Sequence, residues 1–427
     1  MNQKVMYQIN LRAFTREGTL SAAGAYLSDI ASLGVDFVYL CPIALSDDDM
    51  NRDYWSERQC ASGFNNPQNP YRVKDYFNVD HEYGTDDELR DFVKKAHRLG
   101  MGVMLDLVYY HCGPTAKFVT DYPDFVVRKA DGTPDLGHWC FPKINFDNPR
   151  VRETLWDNME YWVREFDVDG YRCDVGDDVP GDFWCEGIKR VRALKPDFLM
   201  LNEGFRADFV KTVGFDLNYD IVCGELRDVA NGKLTSKELR AVYEERTAGF
   251  GSGGRSVHMI ENHDTANDYY DERPEKNQPR MVYDALCVVD AMLDGVMFLY
   301  NGIEYCDGNR HSIFYNRFHD AGLDCTIDRS KFKDGALRRE LLRTLIKLRK
   351  SEPALSDGKA EFFDTTDGAV SFLRSSETQT LMICVNVRAE KSEFSLPYGI
   401  RSVKYGERYQ LGEALALDGY GYIVSEV

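Results

Sequence analysis

Near the middle of the chain, Gly170-Tyr-Arg-Cys-Asp174 sets an arginine two residues before an aspartate at the end of a strand-like run. Side chains alternate along a strand, so Arg172 and Asp174 share one face. A guanidinium beside a carboxylate keeps it ionised and fixes its orientation, as a nucleophilic carboxylate requires. Polar groups gather at the ends of three other apolar runs: Asp106 and His111, then Asn202 and Glu203, then Glu261-Asn-His-Asp264. If those ends converge, Asp174, Glu203 and Asp264 make a three-carboxylate cluster, with His111, His263 and Arg172 around it. Three carboxylates in one cleft cannot all ionise normally, and repulsion leaves a protonated acid beside an ionised nucleophile. Retaining hydrolysis of a glycoside needs that division. Glu203 is the expected acid, because Gly204 and Phe205 offer an apolar wall that desolvates it. Asp174 is the expected nucleophile, through Arg172. Asp264 is expected to grip sugar hydroxyls as the ring distorts.

The elements that must bring these ends together alternate along the chain. Strands are expected at Val5–Asn10, Phe37–Cys41, Val103–Tyr109, the run ending at Asp174, Phe198–Asn202, Phe215–Asp220, Ser256–Ile260 and Val296–Tyr300. Helical spacing separates them: Leu20–Leu33, a capped segment from Thr85-Asp-Asp-Glu88 to about Arg98, Pro149–Glu165, Asp182–Leu194, Ser236–Glu245, Pro279–Leu293 and Leu337–Lys350. Apolar strands alternating with helices imply parallel strands buried on both faces. Eight such units predict an α/β protein with a (β/α)8 TIM barrel, whose chemistry lies at the carboxyl ends of its strands. Polar, aromatic excursions interrupt the pattern at 42–84 and 111–147, the second read as a small inserted domain after strand 3. Beyond Pro353 the segments are short, alternating and β-rich, with no helix evident. The expected partition is a barrel over 1–354 and a C-terminal antiparallel β-sheet domain, a β-sandwich, over 355–427.

Composition limits the partners. The 427 residues are 29% charged and 43% hydrophobic, with net charge −18. So acidic a chain argues against nucleic acid or an anionic membrane as partner. No apolar run reaches the length of a membrane span, and the first residues show no signal-peptide pattern. Eleven cysteines lie scattered without a CxxC pair, which fits a reduced, cytoplasmic compartment and no zinc site. The oligomeric state is not legible.

At the strand ends the residues match a family. Asp106-Leu-Val-Tyr-Tyr-His111, Gly170-Tyr-Arg-Cys-Asp174, Leu201-Asn-Glu203 and Glu261-Asn-His-Asp264 resemble, in order, four regions of the α-amylase family, glycoside hydrolase family 13. The resemblance covers most of residues 1–350. It implies Asp174 as nucleophile, Glu203 as acid/base and Asp264 as the third catalytic carboxylate. Tyr71, in Tyr71-Arg-Val-Lys-Asp-Tyr-Phe77, resembles the tyrosine that stacks on the reacting sugar. Trp139, Phe141, Trp184 and Phe205 are further stacking candidates. Asp106, His111, Arg172 and His263 join Tyr71 and Phe205 as substrate-binding candidates. So does Asp177, which with Asp178 stands where the family has a Lys-His pair that holds sugar on the leaving-group side. Many members bind calcium beside the cleft. Here Tyr110 replaces an asparagine and Lys143 an aspartate of that site, so no cofactor and no calcium are expected.

The activity implied is retaining hydrolysis of α-glucosidic bonds in short, maltodextrin-type α-glucans, an oligosaccharide being the expected partner. A transglycosylase or glucosyl isomerase of the same family is the alternative, since the covalent intermediate is common to both. A non-catalytic carbohydrate-binding relative is opposed by the presence of all three carboxylates. A metal-dependent lyase on an unrelated barrel is opposed by the lack of a ligand constellation.

Overall fold

The computed structural model describes residues 3–219, 223–249, 256–320, 322–356, 358–410 and 414–427. Eight strands build the main sheet: β1 (Val5–Ile9), β2 (Phe37–Leu40), β3 (Gly102–Leu107), β4 (Gly170–Cys173), β5 (Leu199–Asn202), β6 (Leu217–Asn218), β7 (Val257–Met259) and β8 (Val296–Tyr300). They pair in parallel in the order β6-β5-β4-β3-β2-β1-β8-β7. A single parallel bridge between Asn218 and Ser256 joins the two edges and closes the barrel. Strand β6 is shorter than the expected Phe215–Asp220, and Asp220 lies outside the described residues.

Period-two alternation sorts each strand. Met6, Tyr39, Met104, Leu199, Leu201, Met259 and Phe298 fill the barrel interior, while Tyr7, Val38, Val103, Tyr171 and Met200 face the surrounding helices. Asp106, Arg172, Asp174 and Glu203 fall on the inward parity, one layer beyond that filling. At β4 this layering needs Gly170, where a Cβ would lie 2.6 Å from the carbonyl oxygen of Leu199.

Helices Asp86–Arg98, Pro149–Phe166, Gly181–Leu194, Ser236–Thr247, Arg280–Met292 and Phe332–Ser351 surround the sheet. Thr85 and Glu88 form the reciprocal cap that their spacing implies. The expected helix Leu20–Leu33 is instead two short helices, Leu20–Gly24 and Leu27–Ala31. The first excursion contains an antiparallel ribbon, Ala44–Ser46 against Val73–Val79. The second is tied to the end of β3 by antiparallel bridges that include His111 to Lys143.

After Pro353 comes one short helix, Pro353–Ser356, which the sequence reading omitted. Then follow β9 (Glu361–Phe362), β10 (Ala369–Ser375), β11 (Thr380–Asn386), β12 (Ser392–Phe394), β13 (Ser402–Gly406), β14 (Leu415–Leu417) and β15 (Tyr422–Glu426). Strands β9-β10-β11-β15-β13 form an antiparallel sheet, and β12 pairs with β14 in a two-stranded ribbon. One face of the sheet, with Val370, Phe372, Leu381 and Ile383, is continuous with the core outside the barrel. The other, with Leu373, Met382 and Cys384, packs with Phe394 and Leu415 of the ribbon. No helix among the described residues is long and apolar enough to cross a membrane. None of the described cysteines forms a disulfide.

Candidate active site

The carboxyl ends of β3, β4 and β5 meet at one guanidinium. Arg172 Nη1 lies 2.7 Å from Asp106 Oδ1 and 2.8 Å from Asp174 Oδ1, and its Nη2 lies 2.6 Å from Glu203 Oε1. The aromatic rings of Tyr71 and Tyr219 flank it, 6.0 and 5.4 Å from Cζ. One positive charge thus faces three carboxylates, which hold Arg172 protonated although it is fully buried. Burial pushes the Asp174 carboxyl well above its ordinary range; Arg172 opposes this, while Glu203 and Asp106 add to it.

Across the cleft, Asp264 follows β7. Burial works to raise its pKa, but the Arg58 guanidinium beside it, with Arg172 further off, outweighs that and holds it well below the ordinary carboxylate range. Arg58 Nη2 is 2.7 Å from Asp264 Oδ1, and Arg58 Nε is 2.6 Å from Asp268 Oδ2. A chain of hydrogen bonds joins this side to the Arg172 cluster. Gln8 accepts from the His263 backbone N–H at 3.1 Å, which places its amide nitrogen 2.8 Å from His263 Nδ1. Nδ1 is then the acceptor, so Nε2 carries the proton and donates to the Tyr71 hydroxyl at 2.7 Å. Tyr71 in turn donates to Asp106 Oδ2 at 2.9 Å, as Tyr39 does at 2.6 Å. Burial lowers the His263 pKa, in keeping with a neutral ring.

His111 is also neutral, its pKa lowered by burial to about 4. Its Nε2 donates to the Tyr71 carbonyl at 3.0 Å. Its Nδ1 is buried and has no hydrogen-bond partner among the described residues. Phe141 and Trp139 pack against its ring at 4.9 and 5.5 Å. These groups line a cavity of about 380 Å³ that also holds Asp174, Glu203, Asp264, Phe205 and Phe314. That volume suits a sugar unit with part of its neighbours.

Two expectations need correction. Phe205 does not wall off Glu203. It is 59% exposed, with the Arg246 guanidinium over its ring at 4.1 Å. Glu203 is instead held by Arg172 and by the Val175 backbone N–H, 2.7 Å from Oε2, and the desolvation falls on Asp174. Trp184 offers no stacking face. It is fully buried, parallel to Tyr109, and its Nε1 donates to the Gly176 carbonyl at 3.1 Å. Asp177 lines the cavity, but both of its oxygens accept hydrogen bonds from the turn that carries Glu203.

The positions that suggested a lost calcium site are adjacent in space. Lys143 Nζ lies 3.1 Å from Asp135 Oδ2 beside Tyr110, so a cationic side chain stands where the family supplies a carboxylate ligand. Among the described residues no group of three or more His, Cys, Asp or Glu side chains is arranged to hold a metal.

Arg58, Gln8 and Tyr39 complete the site and were absent from the sequence-derived set. Gln8 and Tyr39 had a signal: each is a polar group on the inward parity of an otherwise apolar strand. Arg58 had none, because it sits on a short helix, Glu57–Ala61, inside the non-periodic first excursion.

A family model described as the alpha amylase catalytic domain matches residues 11–129 and 136–347. A cyclomaltodextrinase of Geobacillus thermopakistaniensis is 26% identical, over 96% of this chain and 70% of its own length. A second, from a Bacillus species, is 25% identical over 86% of this chain, which spans 65% of that protein. An intracellular maltogenic amylase of Bacillus subtilis is 34% identical over 42% of this chain and 29% of its own. In fold, the crystal structure of an α-amylase from Lactobacillus plantarum superposes with a TM-score of 0.79 at 24% identity, covering 100% of this chain and 99% of that one. By the extent of the family match, the chain belongs to the α-amylase family of glycoside hydrolases, glycoside hydrolase family 13.

Proposed function

We propose that the protein hydrolyses α-glucosidic bonds in short maltodextrin-type oligosaccharides with retention of the α-anomer. The observation that carries this reading is the single guanidinium, Arg172, that holds Asp174 and Glu203 from adjacent strands in one cavity with Asp264 opposite. Glu203, nearer the opening, gives its proton to the glycosidic oxygen as the bond to the anomeric carbon breaks. Asp174 Oδ attacks that carbon from the other face and forms a glycosyl ester. Glu203, now ionised, takes a proton from water, which displaces Asp174. Burial, with Glu203 and Asp106 beside it, raises the Asp174 carboxyl above its ordinary range in the free cleft, so Asp174 must give up a proton before it attacks. Asp264, fixed as an anion by Arg58, faces the ring hydroxyls. The names of the relatives above, cyclomaltodextrinase and maltogenic amylase, support short α-glucans as substrates. The relative named as intracellular and the unpaired cysteines support a cytoplasmic site of action.

The test is a panel of maltose, maltotriose, isomaltose, panose, cyclodextrin, pullulan, sucrose and trehalose, followed by chromatography and anomeric NMR. Wild type should cleave a member of the panel to the α-product, and Glu203→Gln should lose about 100-fold or more in kcat. Larger oligosaccharides among the products would assign transfer instead. Cleavage to the β-anomer would remove the covalent mechanism. We further propose that calcium plays no part, on the strength of the Lys143–Asp135 pair. EDTA should then leave both rate and melting temperature unchanged, and a fall in either that added calcium restores would refute it.

A further inference from the structure

Asp177 stands in the cavity wall next to Glu203, yet its carboxylate is fully engaged within the protein. Oδ1 accepts from the Asn202 side chain at 2.8 Å. Oδ2 accepts from the backbone N–H of Phe205 at 2.8 Å and of Arg206 at 3.3 Å. These donors flank Glu203 on both sides in the chain. The same Asn202 amide donates to Asn218 Oδ1 at 3.0 Å, and the Asn218 amide donates to the Arg206 carbonyl at 3.0 Å. Asp177, Asn202, Asn218 and Arg206 thus close a ring of hydrogen bonds around the turn that bears Glu203. The backbone of the Asp177 turn adds two more ties, from Val175 N–H to Glu203 Oε2 and from Gly176 N–H to the Glu203 carbonyl. The fit is close: a Cβ on Gly204 would lie 2.2 Å from the Asp177 carboxyl carbon.

A backbone donor pair aimed at one oxygen and an amide aimed at the other is a site for a carboxylate. An asparagine has one acceptor oxygen and would turn N–H toward N–H. The arrangement also explains the residue type at a position where a side chain reaching for sugar would need a free polar head.

We propose that Asp177 is a positioning residue for Glu203, fixing the acid's turn through its hydrogen bonds to Asn202, Phe205 and Arg206 and making no contact with the sugar. This rests on Glu203 being the general acid. If so, loss of Asp177 slows the first step, cleavage of the glycosidic bond, only for substrates whose leaving group must be protonated. Fluoride leaves without that help, so an α-glycosyl fluoride separates the two cases. The second step, in which Glu203 is the base, slows for every substrate, so the comparison is made on kcat/KM, which reports the first step alone.

The experiment compares wild type, Asp177→Ala, Asp177→Asn, Gly204→Ala and Glu203→Gln on the oligosaccharide that wild type cleaves and on the matching α-glycosyl fluoride. Both Asp177 variants should lose about 100-fold in kcat/KM on the oligosaccharide, with kcat/KM on the fluoride close to wild type. Gly204→Ala, which drives a methyl into the carboxylate, should show the same selectivity and carries the test if an Asp177 variant does not fold. Equal losses in kcat/KM on both substrates, a loss on the oligosaccharide carried by KM with kcat intact, or full activity in Asp177→Asn would overturn the proposal. If Glu203→Gln itself shows no preference for the fluoride, the acid assignment falls and the proposal falls with it. If it does and the Asp177 variants do not, only the role of Asp177 is wrong.

Discussion

At the scale of single residues, the cleft is held by neutral histidines and shared charges, and both respond to pH. His111 keeps a neutral ring down to about pH 4 when folded, whereas an unfolded histidine takes up a proton near pH 6.5. Between those values the unfolded chain binds more protons, so stability falls as pH falls. His111 alone contributes up to about 3 kcal/mol of that loss. His263 and His311, also lowered by burial, act in the same direction. Asp174, raised by burial, acts oppositely, and its contribution is lost as pH rises through its folded value. Chemical denaturation should therefore show a stability that drops from pH 7 to pH 4.5, with a shallower slope in His111→Asn. An unchanged slope would mean that His111 is charged in the fold. Arg58→Ala should leave Asp264 without its strongest cationic partner and lower kcat/KM by about 10-fold or more. The residues that could be read in advance were those whose chemistry and parity coincided at a strand end, such as Arg172 and Asp174. Arg58 could not be read, since what fixes it is a carboxylate 206 positions away across the cleft.

Elements were legible where their period was strong. Continuous apolar strands and amphipathic helices gave the barrel, and most of their ends shifted by one or two residues, though the last helix begins at Phe332, five residues before the expected Leu337. Leu20–Leu33 misled because its apolar spacing persists through the break at Ala25 and Tyr26, which period alone does not register. The turn after β4 was invisible. There Val175 adopts the left-handed conformation, φ 45° and ψ 41°, in which a β-branched side chain is strained by about 1–2 kcal/mol. Its backbone N–H is thereby aimed at Glu203. Asparagine visits this conformation more readily, so Val175→Asn should raise stability by about 1 kcal/mol in denaturant melts while the turn persists. A loss of that size would show that packing of the valine, and not backbone strain, decides the position.

For the molecule as a whole, the barrel is unevenly closed. Four registered pairs join β1 to each of β2 and β8, two join β5 to β6, and one bridge joins β6 to β7. Opening free energy follows such local density, so amides at Leu217, Asn218 and Val257–Met259 should exchange before those of β1 to β4 by mass spectrometry. Protection as high as in β1 would mean that side chains, not strand pairing, hold that edge. The C-terminal sheet is tied to the barrel by Arg374, whose Nη1 donates to the Met292 carbonyl at 2.7 Å. The thin edge also partitions the chemistry, for Asp174 and Glu203 reach the cleft from one side of it in the chain and Asp264 from the other. A polypeptide cut between β6 and β7 would leave neither piece with a full set of carboxylates. Fused to two proteins that meet, the pieces would make sugar release a signal of their meeting.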